Sequence, residues 1–237
     1  MCNSSTSVRR AEVSDDRPAN ADEALARLME GNTRFVRGEP RFARQSATTL
    51  SEMVMGQHPF ATILGCSDSR VPPELLFDAN FGDLFIIRVA GNVMSPEVSG
   101  SLQYAGTHLQ TQLFMVLGHE GCGAVQAALA AKFQRAQERS HIQALLRNII
   151  PGLEDVGPEL PPQQMMERAV ESNIRWSMRQ ILETAEGRAR MAEGVGFEPP
   201  RARLRARHTS WSVGAKTMQA TVGRRTRLRS WAKVTTC

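Results

Sequence analysis

The spacing of apolar residues divides the chain into helical and extended segments. Asn20 and Glu23 form a helix-capping pattern, and the apolar residues behind them recur near helical spacing. This pattern predicts a first helix over about Ala21 to Arg37, ended by a Gly and a Pro. Residues 1–19 are rich in Ser, Asp and Arg, so we expect them to form a flexible lead-in.

Three short apolar runs then predict β-strands: ATILGC ending at Cys66, DLFIIRVAG ending at Gly91, and LFMVLGH ending at His119. Short runs rich in Ile, Val and Phe are typical of buried strands in a parallel sheet. Helical spacing predicts a helix from Pro96 to Gln110, and GCGAVQAALAAKFQRAQ predicts another after the third run. Together these segments indicate an α/β fold, a mostly parallel β-sheet flanked by helices with an N-terminal helical arm.

The helical pattern ends before the C-terminus. A Pro-rich hinge precedes a last predicted helix, from about Gln163 to Thr184, and beyond Gly194 no useful periodicity remains. We therefore divide the chain into a lead-in (1–19), one domain (20–194) and a basic tail (195–237). Arg-rich segments with few apolar residues bury too little surface to offset the entropy of ordering, so we expect a disordered tail.

The basic charge is concentrated in that tail. The sequence pI of about 9.5 would favour a nucleic-acid partner. However, residues 196–237 hold ten Lys or Arg and one acid, Glu198, whereas the other 195 residues hold 19 basic and 23 acidic residues. Nucleic-acid domains carry their bases on a patterned face with interleaved aromatic residues, which this segment lacks. We expect no nucleic-acid partner.

The four cysteines, at positions 2, 66, 122 and 237, are too far apart to resemble the disulfide framework of a small secreted domain. Apolar runs shorter than ten residues are too short to span a bilayer, and the polar N-terminus does not resemble a signal peptide. We therefore expect no membrane association and a cytoplasmic location.

Two clusters of polar residues follow predicted strands directly: CSDSR from Cys66 to Arg70, and HEGC from His119 to Cys122. In an open parallel sheet both would face one crevice at the carboxyl ends of the strands. Two thiolates and an imidazole suit zinc, with a fourth position left exchangeable. The helix that Cys122 opens should lower the pKa of its thiol through its dipole.

Each cluster alone has a simpler explanation. A single Cys after a buried strand is usually a small core residue, and an isolated His-x-x-Cys is usually coincidental. Because both clusters follow predicted strands, a metal site is about as plausible as these simpler explanations on the residues alone.

The order of motifs adds a resemblance to a known family. CSDSR, then a strand with RVAGN, a helix with Tyr, and GHxxCG together resemble the β-class carbonic anhydrases from about Asn20 to Gly194. The resemblance implies reversible hydration of carbon dioxide to bicarbonate, with one Zn²⁺ per chain on Cys66, His119 and Cys122. It also implies a homodimer or tetramer.

The resemblance further implies roles for residues around the zinc. Arg70 would hold Asp68, which would orient the attacking hydroxide; if the pair opened, Asp68 would become a zinc ligand and close the site. The implied pocket for carbon dioxide is small and apolar, with some residues supplied by a partner chain; its members are Gln57, Phe85, Ala90 and Tyr104.

Simpler alternatives remain for these outer positions. Asp68 and Arg70 could form only a surface ion pair, Phe85 and Tyr104 could be buried by periodicity alone, and Gln57 could be a polar loop residue. The remaining histidines, which lie in no second metal spacing, are His58, His108, His141 and His208.

Two other functions stay open. One is a non-catalytic zinc-binding homologue, because the family's usual C-terminal edge strand is expected to be missing: GFEPPRARLRARHTSW does not have a strand pattern. The other is hydrolysis of a sulfur analogue such as carbon disulfide on the same scaffold.

Overall fold

The structure, a computed structural model, describes residues 17–41, 50–51, 53–54, 56–192, 202–206 and 209–216. Most of the expected lead-in and much of the expected tail, together with His208, lie outside these ranges. The division into lead-in, domain and tail therefore stays a prediction, as does disorder of the tail outside residues 202–206 and 209–216.

Helix α1 spans Ala21–Arg37, which confirms the predicted boundaries. Its first turn is closed by Asn20, whose side-chain oxygen accepts a hydrogen bond from the Glu23 amide at 3.0 Å. The Glu23 carboxylate in return accepts one from the Asn20 side chain at 2.9 Å. At the other end Gly38 has a φ of 74°, the left-handed conformation that ends helices and favours glycine.

The centre of the fold is a parallel sheet. Strand β1 (Ala61–Gly65) lies between β2 (Leu84–Arg88) and β3 (Leu113–Leu117), and all three run in the same direction. Strand β1 is buried throughout, whereas β2, at the sheet edge, is only half-buried. The three predicted strands and the α/β class are confirmed.

Helices cover this sheet, and the spans of those after α1 are α2 (Pro73–Leu76), α3 (Pro96–Thr107), α4 (Gly123–Gln134), α5 (Ser140–Ile149), α6 (Pro162–Glu183) and α7 (Ala185–Ala192). Short 3₁₀ turns occur at Ala90–Asn92 and Ile150–Leu153. Helix α3 is shorter than predicted because the chain turns near Gln110, whose φ is 50°. Among the helices of the described ranges, none is long and apolar enough to cross a bilayer.

The prediction that no C-terminal edge strand exists is wrong. Strands β4 (Ala202–Ala206) and β5 (Thr209–Lys216) pair with each other, and β5 pairs antiparallel with β3, giving the order β2-β1-β3-β5-β4. The Arg-rich composition favoured disorder over a strand. Charged residues are in fact common in edge strands, where they oppose further pairing, and β5 contains the strand formers Thr, Trp and Val.

Candidate metal centre

Three metal-binding side chains meet at the carboxyl edge of the parallel sheet. Cys66 follows β1, His119 follows β3, and Cys122 is the residue that caps the N-terminus of α4. All three residues are buried, and their donor atoms lie within 4.8 Å of one another. The expectation that the two sequence clusters face one crevice is confirmed, because parallel strands end at the same edge.

The spacing of the donor atoms fits zinc. The sulfur atoms of Cys66 and Cys122 are 4.0 Å apart, and both residues are free cysteines. Zinc–sulfur bonds of about 2.3 Å in a tetrahedron would place two sulfur atoms about 3.8 Å apart. Two thiolates and one imidazole also form the soft donor set that zinc prefers, and they leave a fourth position for water or substrate.

The backbone next to His119 orients its ring. The Nδ1 atom lies 2.9 Å from the carbonyl oxygen of Glu120, and a carbonyl only accepts hydrogen bonds, so Nδ1 carries the proton and donates it. In the neutral ring Nε2 then keeps its lone pair. This tautomer is the one a metal requires, and a carbonyl is the usual partner for the second nitrogen of a metal-binding histidine.

The two thiols perturb each other strongly. A hydrogen bond from Cys122 is the main cause that lowers the pKa of Cys66 to about 4, and contacts with His119 and the Gly91 amide add to it. The pKa of Cys122 is raised, chiefly by the same hydrogen bond and then by burial. The Ala124 and Val125 amides at the start of α4 do lower the pKa of Cys122, as expected of a helix N-terminus, but the neighbouring sulfur and burial outweigh them. Two thiolates this close require a cation between them.

Asp68 and Arg70 form a bidentate ion pair beside the cluster. The Arg70 Nε donates to Asp68 Oδ1 at 2.8 Å, and Nη2 donates to Oδ2 at 2.7 Å. These bonds hold the pKa of Asp68 well below its usual range. The side chain of Asp68 is 20% exposed and that of Arg70 is 62% exposed. Asp68 Oδ2 lies only 3.8 Å from His119 Nε2, so this pair borders the metal ligands.

Arg88, at the end of β2, is a site residue that the sequence analysis missed. Its Nε donates to the carbonyl oxygen of Cys66 at 2.9 Å, and its Nη2 donates to that of Asp68 at 2.5 Å. One guanidinium therefore holds two carbonyl groups within the CSDSR turn, on either side of Ser67. The RVAGN motif contains this Arg, but its partners are backbone carbonyls, which leave no mark in the sequence.

The residues expected to line the substrate pocket are only partly brought together. The rings of Phe85 and Tyr104 are 6.1 Å apart between centroids, and Tyr104 is 47% exposed. Ala90 is exposed and precedes Gly91, whose amide donates to the Cys66 sulfur at 3.3 Å. Gln57 is exposed ahead of β1, and within the described ranges no hydrogen bond joins it to the cluster.

The remaining described histidines are separate from the cluster. His58 and His141 are exposed, and the ring of His108 lies 4.9 Å from that of Tyr104 between centroids, in a tilted arrangement. In the part of the chain that the structure describes, Cys66, His119 and Cys122 are the one group with metal-ligand spacing.

Comparison with known proteins identifies relatives of this arrangement. A sequence model of the carbonic anhydrase family matches residues 61–196. Carbonic anhydrase 2 of Mycobacterium tuberculosis is 43% identical over 126 residues, covering 53% of this chain and 61% of that protein. The carbonic anhydrase of Mycolicibacterium smegmatis is 38% identical over 135 residues, covering 57% of this chain and 66% of the relative. The alignments thus span less than two thirds of either mycobacterial protein.

Solved structures show the same fold. The β-carbonic anhydrase CcaA aligns with a TM-score of 0.54 and 28% identity, over 72% of this chain and 78% of its own. A β-carbonic anhydrase from Sordaria macrospora, one of two described as tetrameric, aligns with a TM-score of 0.54 over 73% of this chain and 85% of its own. At 22% identity that alignment supports the fold alone.

Proposed function

The chain belongs to the β-class carbonic anhydrases, and on that premise we propose that it catalyses the reversible hydration of carbon dioxide to bicarbonate and a proton. The observation that carries the proposal is the buried Cys66, His119 and Cys122 triad with the Asp68–Arg70 pair at its edge. One Zn²⁺ per chain is the proposed cofactor, because the donor set and the sulfur spacing fit it.

The protein would hold the metal through side chains fixed by backbone. Cys66 and His119 are set by the ends of β1 and β3, and Cys122 by the start of α4. Bound there, zinc supplies the Lewis acidity that makes water nucleophilic near neutral pH. The three protein ligands leave a fourth position, where the water that attacks carbon dioxide would bind.

Asp68 is proposed to orient that water. It is ionised, because Arg70 holds its pKa low, so its carboxylate can only accept a hydrogen bond and fixes the direction of the water's O–H. Arg70 would keep Asp68 in this position through its two side-chain hydrogen bonds. If Arg70 released it, Asp68 is near enough to His119 to take the fourth ligand position and exclude water.

Carbon dioxide is apolar, so we propose that it occupies a small pocket bordered by Ala90, with Phe85, Tyr104 and Gln57 contributing from a partner chain. The exposed Tyr104 and the half-buried β2 edge support a partner that covers this face. The proposed assembly is a homodimer or a tetramer. We also propose a cytoplasmic location, which the two free buried cysteines support.

The alternatives have less support. The non-catalytic interpretation depended on a missing edge strand, and β4 and β5 remove that argument. No observation of the described residues favours a sulfur analogue over carbon dioxide.

Stopped-flow measurement of carbon dioxide hydration by the full chain tests the proposal. We expect zinc-loaded protein to accelerate hydration, and His119→Ala to abolish the acceleration. His141→Ala is the matched control, because it removes an exposed histidine from α5 and should leave the rate unchanged. Zinc-loaded protein without measurable hydration would contradict the proposal and favour a non-catalytic zinc protein.

A further inference from the structure

We propose that helix α6 is a positioning element of the metal centre. Through Asn173 and Ser177 it fixes the turn Ala90–Asn92, so that the Gly91 amide donates a hydrogen bond to the sulfur of Cys66. The inference rests on the proposed function only in treating Cys66 as a metal ligand. Among the described residues, the hydrogen bonds of Asn173 and Ser177 go to the turn and not to a ligand side chain, so both act through the turn.

The turn has a conformation that requires support. Gly91 has φ 68° and ψ 18°, and Asn92 has φ 45°, so two consecutive residues are left-handed. Left-handed backbone is unfavourable for residues other than glycine, and it persists where surrounding contacts stabilise it. Within the turn, the Asn92 amide donates to the Val89 carbonyl at 3.0 Å.

Helix α6 supplies the missing contacts from more than eighty residues away. The Asn173 side-chain amide donates to the Gly91 carbonyl at 2.8 Å, and the Ser177 hydroxyl donates to the Asn92 carbonyl at 2.9 Å. The Asn92 side chain returns a hydrogen bond to the Ser177 oxygen at 3.3 Å. Asn92, Asn173 and Ser177 are all buried, so losing either donor would leave a buried carbonyl unsatisfied.

Only one end of the Asn173 side-chain amide forms a hydrogen bond among the described residues. Its Oδ1 atom is buried, and among the described residues it has no hydrogen-bond partner. Turning the amide over would place that oxygen against the Gly91 carbonyl, so only the present orientation is allowed. A buried acceptor without a partner is unfavourable, which indicates that the contact with Gly91 is the reason for an Asn at this position.

Packing holds the other side of the turn. A Cβ atom on Gly91 would lie 2.8 Å from Ile149 Cδ1 and 3.0 Å from Ala124 Cβ, so the turn is enclosed by α5 and α4. Because Ala124 lies two residues after Cys122, the same turn contacts the helix that carries the second sulfur ligand. The turn is therefore held between α6 on one side and α4 and α5 on the other.

The Gly91 hydrogen bond acts directly on the sulfur. Its amide nitrogen lies 3.3 Å from the Cys66 sulfur in a buried environment. An N–H that donates to a thiolate withdraws charge from it and limits what the sulfur donates to a metal, and groups that orient ligands in this way commonly alter metal affinity about 10- to 100-fold. Removing the support should leave the ligands in place but change the bonding of one sulfur.

The test uses the full chain with cobalt(II) in place of zinc, because sulfur-to-cobalt absorption reports on the thiolates without any catalytic assay. We expect Ser177→Ala and Asn173→Ala to shift this band to longer wavelength. In the zinc form, we expect release of zinc to a chelator to accelerate on the order of 10-fold or more. Ser172→Ala is the matched control, since Ser172 is a buried serine of the same helix whose hydroxyl donates to Asp155 instead, at 2.6 Å.

The outcomes separate this inference from the proposed function. Wild-type spectra and zinc-release rates in both Ser177→Ala and Asn173→Ala would overturn it, as would equal changes in Ser172→Ala. If Asn173→Ala does not fold, Ser177→Ala decides, because it deletes a single oxygen atom. If the wild-type chain binds cobalt and Ser177→Ala shifts its absorption band, but the wild-type zinc form does not hydrate carbon dioxide, the proposed function is refuted and the positioning role is established.

Discussion

Two Arg–Asp pairs in different regions of the molecule have very different surroundings. In the Asp68–Arg70 pair, at the metal centre, the partners are two residues apart and the Arg side chain is 62% exposed. The Arg34–Asp78 pair joins α1 to the segment after α2 across 44 residues, and its side chains are 19% and 1% exposed. The Asp78 carboxylate also accepts a hydrogen bond from the Arg41 amide at 3.0 Å.

The difference shows where an ion pair acts. Breaking a buried pair leaves an uncompensated charge inside the protein, so the Arg34–Asp78 pair should affect folding. An exposed local pair contributes little to stability, because water solvates both charges when they separate. The Asp68–Arg70 pair should therefore affect the chemistry of the neighbouring metal ligands and leave the fold nearly unchanged.

The largest expected effect lies at the metal ligands. Cys66→Ala and Cys122→Ala should each lower bound zinc from about one per chain to near zero, and hydration should fall to the uncatalysed rate. Metal analysis of the purified variants measures this. Full zinc content in both variants would show that the two sulfur atoms are not zinc ligands.

The next largest effect should be the loss of stability when the buried Arg34–Asp78 pair is broken. Asp78→Ala should lower the free energy of unfolding by about 3 to 5 kcal/mol, because the Arg34 guanidinium loses its partner in a largely buried site. Activity per bound zinc should stay at the wild-type value. Urea denaturation measures the stability, with Asp155→Ala as the control: its Arg168 and Arg175 partners are about half exposed, so a loss of about 1 kcal/mol or less is expected. Equal losses in both variants would contradict the comparison.

Breaking the exposed Asp68–Arg70 pair should lower activity and leave stability nearly unchanged. Arg70→Ala should reduce kcat/KM on the order of 100-fold, while the free energy of unfolding stays close to the wild-type value. In cobalt-substituted protein, Arg70→Ala should show a carboxylate in place of water, and adding Asp68→Ala should restore the water-bound spectrum. A water-bound spectrum in Arg70→Ala at every pH would show that Arg70 does not hold Asp68 away from the metal.

The smallest effect concerns pH. The pKa of Asp68 is lower in the folded protein than its unfolded value of about 3.9, so the pair contributes stability above that value and loses it as pH falls through the folded pKa. The difference in unfolding free energy between wild type and Asp68→Asn should therefore be small and constant from about pH 5 to 8, then shrink below about pH 4. A difference that changes between pH 5 and 8 would place the pKa of Asp68 higher than the Arg70 contacts imply.

The parts predictable from sequence are those in which chemistry and local pattern coincide. Short apolar runs ending at Cys66 and His119 predicted both the strands and the position of the ligands, because a parallel sheet brings strand ends together. The capping pattern at Asn20 likewise fixed the start of α1.

What could not be predicted depends on distant or backbone partners. Arg88 binds two carbonyl oxygens, and Asn173 and Ser177 reach a turn more than eighty residues earlier, so no local pattern marks them. The pKa of Cys122 is raised in spite of the α4 amides that lower it, because the fold places the Cys66 sulfur beside it, which no local pattern indicates. Strands β4 and β5 were missed because pairing with β3 outweighs an Arg-rich composition.

The central claim, hydration of carbon dioxide at a single zinc site, is tested most directly by titrating metal-free protein with zinc while measuring the hydration rate. The account predicts a rate that rises linearly and stops rising at one zinc per chain, with no rise in Cys66→Ala. A rate that stays at the uncatalysed value after one zinc is bound would contradict it.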